Sequence, residues 1–186
     1  LFMECFIDPD QLPQLAGKLT AVITQNIDGL HQKAGSENVL ELHGSVHRNY
    51  CSGCGRRFTL GDILPMATVP LCPHCGGSIR PDVGLYGEPL DDEVTEAALS
   101  AIRTCDLLIV DDLGTEMPGQ FTTAALYGLI NDRLLAGKPM VISTNLNVME
   151  ELPRRYSPQI VSRLQGSFRL IPFVGEDIRV KKNWGM

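Results

Sequence analysis

The sequence predicts an α/β fold built on a parallel sheet, with a small four-cysteine module set into it. Short apolar runs alternate along the chain with longer amphipathic segments, an order typical of strand–helix–strand units. Four of the six cysteines form two Cys-x2-Cys pairs in a stretch rich in glycine and proline. At 186 residues and 44% hydrophobic composition, the chain is long enough to bury a core without disulfides.

The first half of the chain is predicted to contain two strands joined by a short helix. Residues 19–24 (LTAVIT) read as a buried strand that is followed by polar residues. Asp28 is suited to cap a helix that ends at Gly35. A second strand covers residues 39–42, and residues 46–82 form the cysteine module, which lacks helical periodicity.

The second half continues the alternation. An amphipathic helix with an acidic first turn is predicted over residues 91–104, and a buried strand over 106–110. A long helix at 121–136 and a strand at 139–143 come next. Two short helical stretches and a strand near 168–172 complete the chain. Strands that alternate with helices in this way predict a parallel, Rossmann-like sheet.

The net charge of −6 is unevenly distributed along the chain. Residues 1–108 carry a net charge of −7, whereas residues 109–186 carry +1, which suggests two parts of different origin. Neither part is basic enough to predict direct DNA binding. No apolar run approaches the length of a membrane span, and no secretory signal is visible at residue 1, so we expect a cytoplasmic protein without a membrane partner.

The two cysteine pairs have the spacing of a four-cysteine zinc ribbon. Cys51 and Cys54 are separated by 17 residues from Cys72 and Cys75. Two residues between thiolates allow one tight turn to present both sulfurs to a tetrahedral ion, which predicts structural zinc. Two disulfides in a secreted protein, or a redox dithiol, are the alternatives. His74 lies within the second pair and is a competing ligand.

Four segments within residues 1–108 resemble one family in its own motif order. They are residues 24–31 (TQNIDGLH), residues 41–45 (ELHGS), the cysteine pairs, and residues 80–89 (RPDVGLYGEP). Together they resemble the sirtuins, which are NAD-dependent protein-lysine deacylases. Taken singly, Gln25 and Asn26 also suit a turn, and His43 suits an ordinary loop histidine. The ordered set favours the functional interpretation.

The resemblance implies a role for each matching residue. His43 would be the catalytic general base that acts on the cofactor ribose. Contacts with the nicotinamide side of NAD would come from Gln25, Asn26 and Asp28. An acyl-lysine protein or peptide would add as a strand along a segment made of Val83, Gly84, Leu85 and Tyr86.

A second resemblance covers the rest of the chain. Residues 107–116 (LLIVDDLGTE) resemble the Walker B strand of an AAA+ ATPase, closest to the helicase-loader and transposition-helper group. Residues 141–145 (VISTN) resemble its sensor 1, residues 162–164 (SRL) its arginine-finger segment, and residues 173–179 its final stretch. This resemblance implies a helicase or transposase as partner.

The second resemblance implies ATPase-like roles for four residues. Asp111 and Asp112 would hold Mg²⁺ and polarise water, Asn145 would be the polar tip of sensor 1, and Arg163 would neutralise phosphate charge. The alternatives are a helix cap or turn at the two aspartates and a solvated helix face at the arginine.

The sequence is therefore interpreted as a chimera. Residues 1–108 would be a partial sirtuin catalytic domain with the zinc ribbon 46–82 inserted, and residues 109–186 a partial AAA+ domain. Both families use the strand around residues 106–110, which would allow one composite sheet. The sequence contains neither the Gly-Ala-Gly-rich NAD segment nor the Gly-x4-Gly-Lys-Ser/Thr loop that binds ATP phosphates.

The leading functional prediction is an NAD-dependent protein deacetylase fragment with structural zinc and an impaired cofactor pocket. The first alternative is a fragment of an ATP- and Mg²⁺-dependent helper that has lost its phosphate loop. The second alternative is a peptide-binding zinc-ribbon module that is not an enzyme.

Overall fold

The chain folds into two compact units that meet in sequence between Cys105 and Asp106. The computed structural model describes residues 18–66, 68–85, 87–117 and 119–175. We refer to residues 18–105 as the N-terminal unit and to residues 106–175 as the C-terminal unit. Among the described helices, none has the length and apolar character needed to cross a membrane.

The N-terminal unit begins with a parallel strand pair, as predicted. Strand β1 (Val22–Thr24) pairs with β2 (Val39–Glu41), and helix α1 (Leu30–Lys33) lies between them in the chain. All three elements are shorter than predicted. The carboxylate of Asp28 accepts the first backbone N–H of α1 at 3.1 Å, but the cap residue itself is Gly29, whose φ is +68°.

The cysteine module is a three-stranded antiparallel sheet. Strand β3 (Gly44–Cys51) lies between β4 (Arg57–Thr59) and β5 (Ile79–Val83). One short helix, α2 (Leu60–Ile63), follows β4, because Thr59 and Asp62 form a reciprocal capping box. The sheet extends beyond the predicted module of residues 46–82 at both ends, since β3 begins two residues before the module and β5 ends one residue after it.

A small apolar core supports this sheet, and a helix follows it. The buried side chains of Cys51, Cys72 and Ile79 form the core, with partly buried side chains packed around them: Phe58, Ile63 and Met66. Helix α3 (Asp92–Thr104) packs against β2. Its cap, Asp91, accepts the N–H of Val94 at 3.0 Å, so the predicted helix and its acidic start are confirmed.

The C-terminal unit repeats the parallel pairing. Strand β6 (Leu108–Val110) pairs with β7 (Met140–Ile142), and helix α4 (Gln120–Leu135) connects them. Helices α5 (Leu152–Arg155) and α6 (Pro158–Ser167) follow, as predicted, and α4 and α6 pack together. The buried side chains of this unit form one core: Leu113, Ile130, Leu152, Tyr156, Ile160, Val161 and Leu164.

A buried arginine aligns the two strands of this unit. Arg133, 4% exposed, donates to the carbonyls of Asp106 and Pro139, both at 2.9 Å. Asp106 lies two residues before β6, and Pro139 lies one residue before β7. A buried guanidinium requires such acceptors, and here it fixes where both strands begin.

One expectation differs from the structure. The strand predicted near residues 168–172 is absent, because α6 ends at Ser167 and the described residues beyond it have no paired strand. Pro172 has no N–H with which to pair. Within each unit, the described parallel strands pair as a two-stranded sheet, β1 with β2 and β6 with β7.

The close approach of β3 and β5 at Gly44 predicts a strong effect of substitution there. Gly44 has a φ of +75°, and an added Cβ would lie 2.0 Å from the carbonyl oxygen of Asp82. Replacing Gly44 with Ala should lower the free energy of unfolding by about 3 kcal/mol or more. Urea unfolding followed by circular dichroism measures this change.

Gly61→Ala is the matched control, because an added Cβ there has only an ordinary contact at 3.7 Å and lies in α2. Alanine in that helix should be neutral or slightly stabilising. Equal unfolding midpoints for the two variants would contradict the proposed constraint at position 44.

Candidate functional site

Polar residues follow β1 and β2 at the edge where both strands end. The register pairs Thr24 with Glu41, and the N–H of Leu42 donates to the carbonyl of Thr24 at 2.9 Å. Gln25 and Asn26 therefore start from the same sheet edge as His43. This edge is where open parallel sheets bind nucleotides.

The segment after β1 is held against the beginning of β3. The carbonyl of Ile27 accepts the N–H of Val46 at 3.0 Å and the hydroxyl of buried Ser45 at 3.5 Å. One ring nitrogen of His47 lies 2.8 Å from the carbonyl of Asp28. Within this fixed turn, the side chains of Gln25 and Asp28 are exposed and that of Asn26 is half-buried.

The end of β5 joins the same region. Val83 pairs with Gly44, and the N–H of Gly84 donates to the carbonyl of His43 at 3.1 Å. The structure thus brings the histidine segment next to the residues expected to bind peptide. Leu85 follows directly and is exposed, whereas Tyr86 lies outside the described residues.

Three strands of this region are tied together by Arg48, which the sequence analysis did not single out. Its guanidinium lies 2.6 Å from the buried carboxylate of Glu41 and 3.2 Å from that of Asp82. Burial lowers the pKa of Arg48, but the hydrogen bonds to Glu41 and then to Asp82 outweigh burial and raise it. The arginine therefore links β2, β3 and β5 as a permanent cation.

A second ion pair, also missed, holds the segment after β5. Arg80 contacts Glu88 through two parallel hydrogen bonds, each 3.1 Å long. Hydrogen bonding to Arg80, and then to the N–H of Leu85, lowers the pKa of Glu88. Both residues lie within the motif at residues 80–89, so their presence was visible in the sequence. Their pairing depends on a turn that the sequence does not specify.

The four predicted cysteine ligands form one cluster. Their sulfur atoms lie within 4.8 Å of one another, with 3.4 Å between Cys51 and Cys75 and 3.7 Å between Cys54 and Cys72. Zn–S bonds of about 2.3 Å in a tetrahedron place sulfurs about 3.8 Å apart, so the cluster fits a zinc ion. Among the described residues, all cysteines are free of disulfides.

The sulfurs influence one another's protonation. Burial raises the pKa of Cys51, but the N–H groups of Cys54 and Gly53 and the neighbouring thiols lower it to about 7. At Cys75 an N–H of Gly77 lowers the pKa, yet the nearby sulfurs of Cys51 and Cys54 raise it to about 12. Cys51 therefore ionises easily, and its negative charge opposes ionisation of Cys75. A divalent cation bound between the sulfurs would neutralise that charge.

In the C-terminal unit, polar residues also gather where parallel strands end. Asp112, with a φ of +58°, receives a hydrogen bond of 3.1 Å from the side-chain amide of Asn145. The hydroxyl of Ser143 donates to Asp111 and accepts the N–H of Asp112. The structure therefore brings together three of the four residues predicted to be ATPase-like.

The fourth of these residues is engaged elsewhere in the unit. Arg163 donates to Tyr127 and to Asn131, both at 2.9 Å, and to the carbonyl of Gln159 at 3.2 Å. Its guanidinium also stacks over the Tyr127 ring, 4.5 Å from the centroid. The alternative that Arg163 simply lies on a solvated helix face therefore does not hold.

Comparison with known proteins identifies the family. The sequence profile of the Sir2 family matches residues 11–118, more than half of the chain. The chain belongs to the Sir2 family. The Sir2 match includes every residue of the N-terminal site and continues into the first residues of the C-terminal unit.

Curated Sir2 relatives are longer than this chain. The NAD-dependent protein deacetylase of Clostridium acetobutylicum is 56% identical over 95 residues, which are 50% of this chain and 39% of the relative. The NAD-dependent protein deacylase of Aeropyrum pernix is 44% identical over 142 residues, 76% of this chain and 53% of the relative. The chain thus spans about two-fifths to one half of these relatives.

Solved Sir2 structures share the fold. A Sir2 protein bound to an acetylated peptide aligns with a TM-score of 0.60 and 30% identity, covering 87% of this chain and 70% of that one. A Sir2 protein bound to a propionylated peptide aligns with a TM-score of 0.59 and 31% identity, with the same coverage. The α/β, Rossmann-type fold with its cysteine cluster is therefore confirmed.

The sulfur cluster predicts pH-dependent zinc binding. Zinc binding displaces protons from the four thiols, so acidification should favour the protonated, metal-free cluster. We expect about one zinc ion per chain at pH 8, and an affinity at least about tenfold weaker at pH 6. Competition with a chromogenic chelator measures this change.

Cys72→Ser should abolish stoichiometric binding, because it removes a buried ligand. Cys105→Ser is the control, since Cys105 lies outside the cluster. Full zinc retention in the Cys72 variant would contradict the assignment.

Proposed function

We propose that the N-terminal unit is the acyl-lysine-recognising and base-bearing part of an NAD-dependent protein deacetylase. The observation that carries this proposal is the hydrogen bond from the Gly84 N–H to the His43 carbonyl. It joins the predicted base segment and the predicted peptide segment into one site. Family membership and the names of the curated relatives support the same activity.

The residues after β1 fit the nicotinamide side of NAD. Gln25, Asn26 and Asp28 offer amide and carboxylate groups from a turn whose backbone is already fixed. Bound NAD would supply the ribose to which the acyl group is transferred. His43 would act as the base, the role that histidine fills most often in general acid–base catalysis.

Peptide recognition would use the strand-like segment after β5. An extended peptide can add to an exposed strand edge through main-chain hydrogen bonds. Val83, Gly84 and Leu85 are exposed or half-buried, and Tyr86 is carried over from the family motif. Sir2 structures with acetylated and propionylated peptides support this class of partner.

Cofactor affinity is the expected weakness of the 186-residue chain. The sequence contains no Gly-Ala-Gly-rich segment, and such a segment supplies backbone N–H donors to phosphate. Peptide binding that is independent of NAD would favour the alternative of a non-enzymatic zinc-ribbon module. A cytoplasmic location is part of the proposal.

The decisive test measures peptide binding, NAD binding and turnover on the same zinc-loaded chain. We expect calorimetry to show acetyl-lysine peptide binding, NAD binding weaker than about 100 µM, and deacetylation far below that of a full-length relative. His43→Ala should abolish residual turnover because it removes the base. Arg57→Ala is the control, since Arg57 is exposed on β4.

Failure of the acetylated peptide to bind would contradict the proposed recognition site. Low-micromolar NAD binding would contradict the impaired cofactor pocket. Turnover that survives His43→Ala would remove His43 from the proposed chemistry.

For the C-terminal unit we propose an AAA+-like remnant. The observation that favours it is the contact between Asn145 and Asp112 at the ends of adjacent parallel strands, as expected of a sensor beside Walker B. A helicase or transposase would be its partner, and ATP with Mg²⁺ its former ligand. The contacts of Arg163 with Tyr127 and Asn131 would have to open before this arginine could serve a neighbouring subunit.

This second proposal predicts no ATP hydrolysis by the chain, because the sequence has no phosphate-binding loop. A phosphate-release assay with Mg²⁺ should stay at background. ATP-promoted self-association, measured by light scattering and lost in Asp112→Asn, would favour a retained ATPase-like role. Measurable ATP hydrolysis would contradict a remnant that lacks its phosphate-binding loop.

A further inference from the structure

The segment at the end of β5, residues 83–88, has little stiffness of its own. Of residues 83–88, Gly84 and Gly87 lack side chains, and Cβ atoms added there would meet nothing within 4 Å. Leu85 is 59% exposed. Glycines lose more conformational freedom on ordering than other residues. Side-chain contacts can therefore add to the backbone hydrogen bonds of Gly84 and Glu88 in keeping this segment in one shape.

Two side chains supply these contacts. Arg80 donates to the carbonyl of Val83 at 3.3 Å, and the carboxylate of Glu88 accepts the N–H of Leu85 at 2.9 Å. The same two side chains are joined by their own pair of hydrogen bonds, and the Arg80 guanidinium lies 5.7 Å from the centroid of the Tyr50 ring. Arg80 thus connects the segment to the middle strand of the sheet.

The two main-chain groups that these side chains bind, the Val83 carbonyl and the Leu85 N–H, lie on either side of Gly84, which contacts His43. Val83 and Leu85 are the neighbours of Gly84, whose N–H donates to the His43 carbonyl. The chain then comes back toward Leu85, since the N–H of Glu88 donates to the carbonyl of Leu85 at 3.0 Å and Gly87 has a φ of +86°. This return brings the Glu88 carboxylate to the Leu85 amide.

We propose that the Arg80–Glu88 ion pair is a positioning element for the acyl-lysine peptide. It fixes the main chain from Val83 to Leu85 beside His43, so that the peptide meets a segment that is already ordered. Because the segment is ordered when the chain folds, the conformational entropy of ordering it is not lost again when the peptide binds. The inference rests on the proposed function, because it assigns these residues to peptide recognition.

The test uses the zinc-loaded 186-residue chain and an acetyl-lysine peptide. Arg80→Gln and Glu88→Ala should each weaken peptide affinity by about fivefold, because each leaves the segment to be ordered during binding. The double variant should be little weaker than either single variant, since the two side chains act as one unit. Arg80→Lys should restore part of the affinity, as it keeps the charge but loses the two-pronged geometry.

Backbone amide exchange supplies a readout that does not depend on peptide. The Leu85 N–H should exchange about tenfold faster in Glu88→Ala than in the wild-type chain, with unchanged zinc content. Arg57→Gln and Glu96→Gln are controls on the exposed surfaces of β4 and α3, and they should change neither readout.

Unchanged Leu85 exchange in Glu88→Ala, or peptide affinity that stays equal or rises in both single variants, would overturn the inference. Additive losses in the double variant would do the same. If the wild-type chain bound no peptide although Leu85 exchange responded as expected, the positioning of the segment would stand and the proposed function would fail.

Discussion

The pairing of Gly44 with Val83 is the constraint on which the N-terminal site depends. The left-handed backbone of Gly44 and its close contact with the Asp82 carbonyl turn the chain sharply between β2 and β3. That turn places His43 at the end of a parallel strand and, at the same time, beside the end of β5. A side chain at position 44 would separate the two sheets that make up the site.

Ion pairs stabilise what this turn creates. Arg48 links the buried carboxylate of Glu41 to Asp82, and Arg80 links Glu88 to the segment that follows β5. Exposed ion pairs contribute little to stability in general. These two differ because each also holds a particular backbone or buried group, so their main effect is on geometry.

The sequence was sufficient for the elements with strong local signals. The cysteine spacing predicted the cluster, and Asp91 predicted the start of α3, because both depend on neighbours within a few residues. The prediction of a strand near residues 168–172 was wrong, since an apolar run without a partner strand does not form a sheet. The ion pairs of Arg48 and Arg80 could not be predicted in the same way, because they join residues whose proximity depends on sheet register. The contacts of Arg163 likewise depend on the packing of α6 against α4.

The β3 strand connects the histidine segment with the sulfur cluster. It begins at Gly44, next to His43, and ends at Cys51. Cys51 belongs to the sulfur cluster and pairs with Ile79 of β5. Oxidation of the exposed thiols of Cys54 and Cys75 would therefore act on the same strand pair that carries the peptide segment. Any change that loosened β3 at its cysteine end would act on the same eight-residue strand whose first residue, Gly44, follows His43.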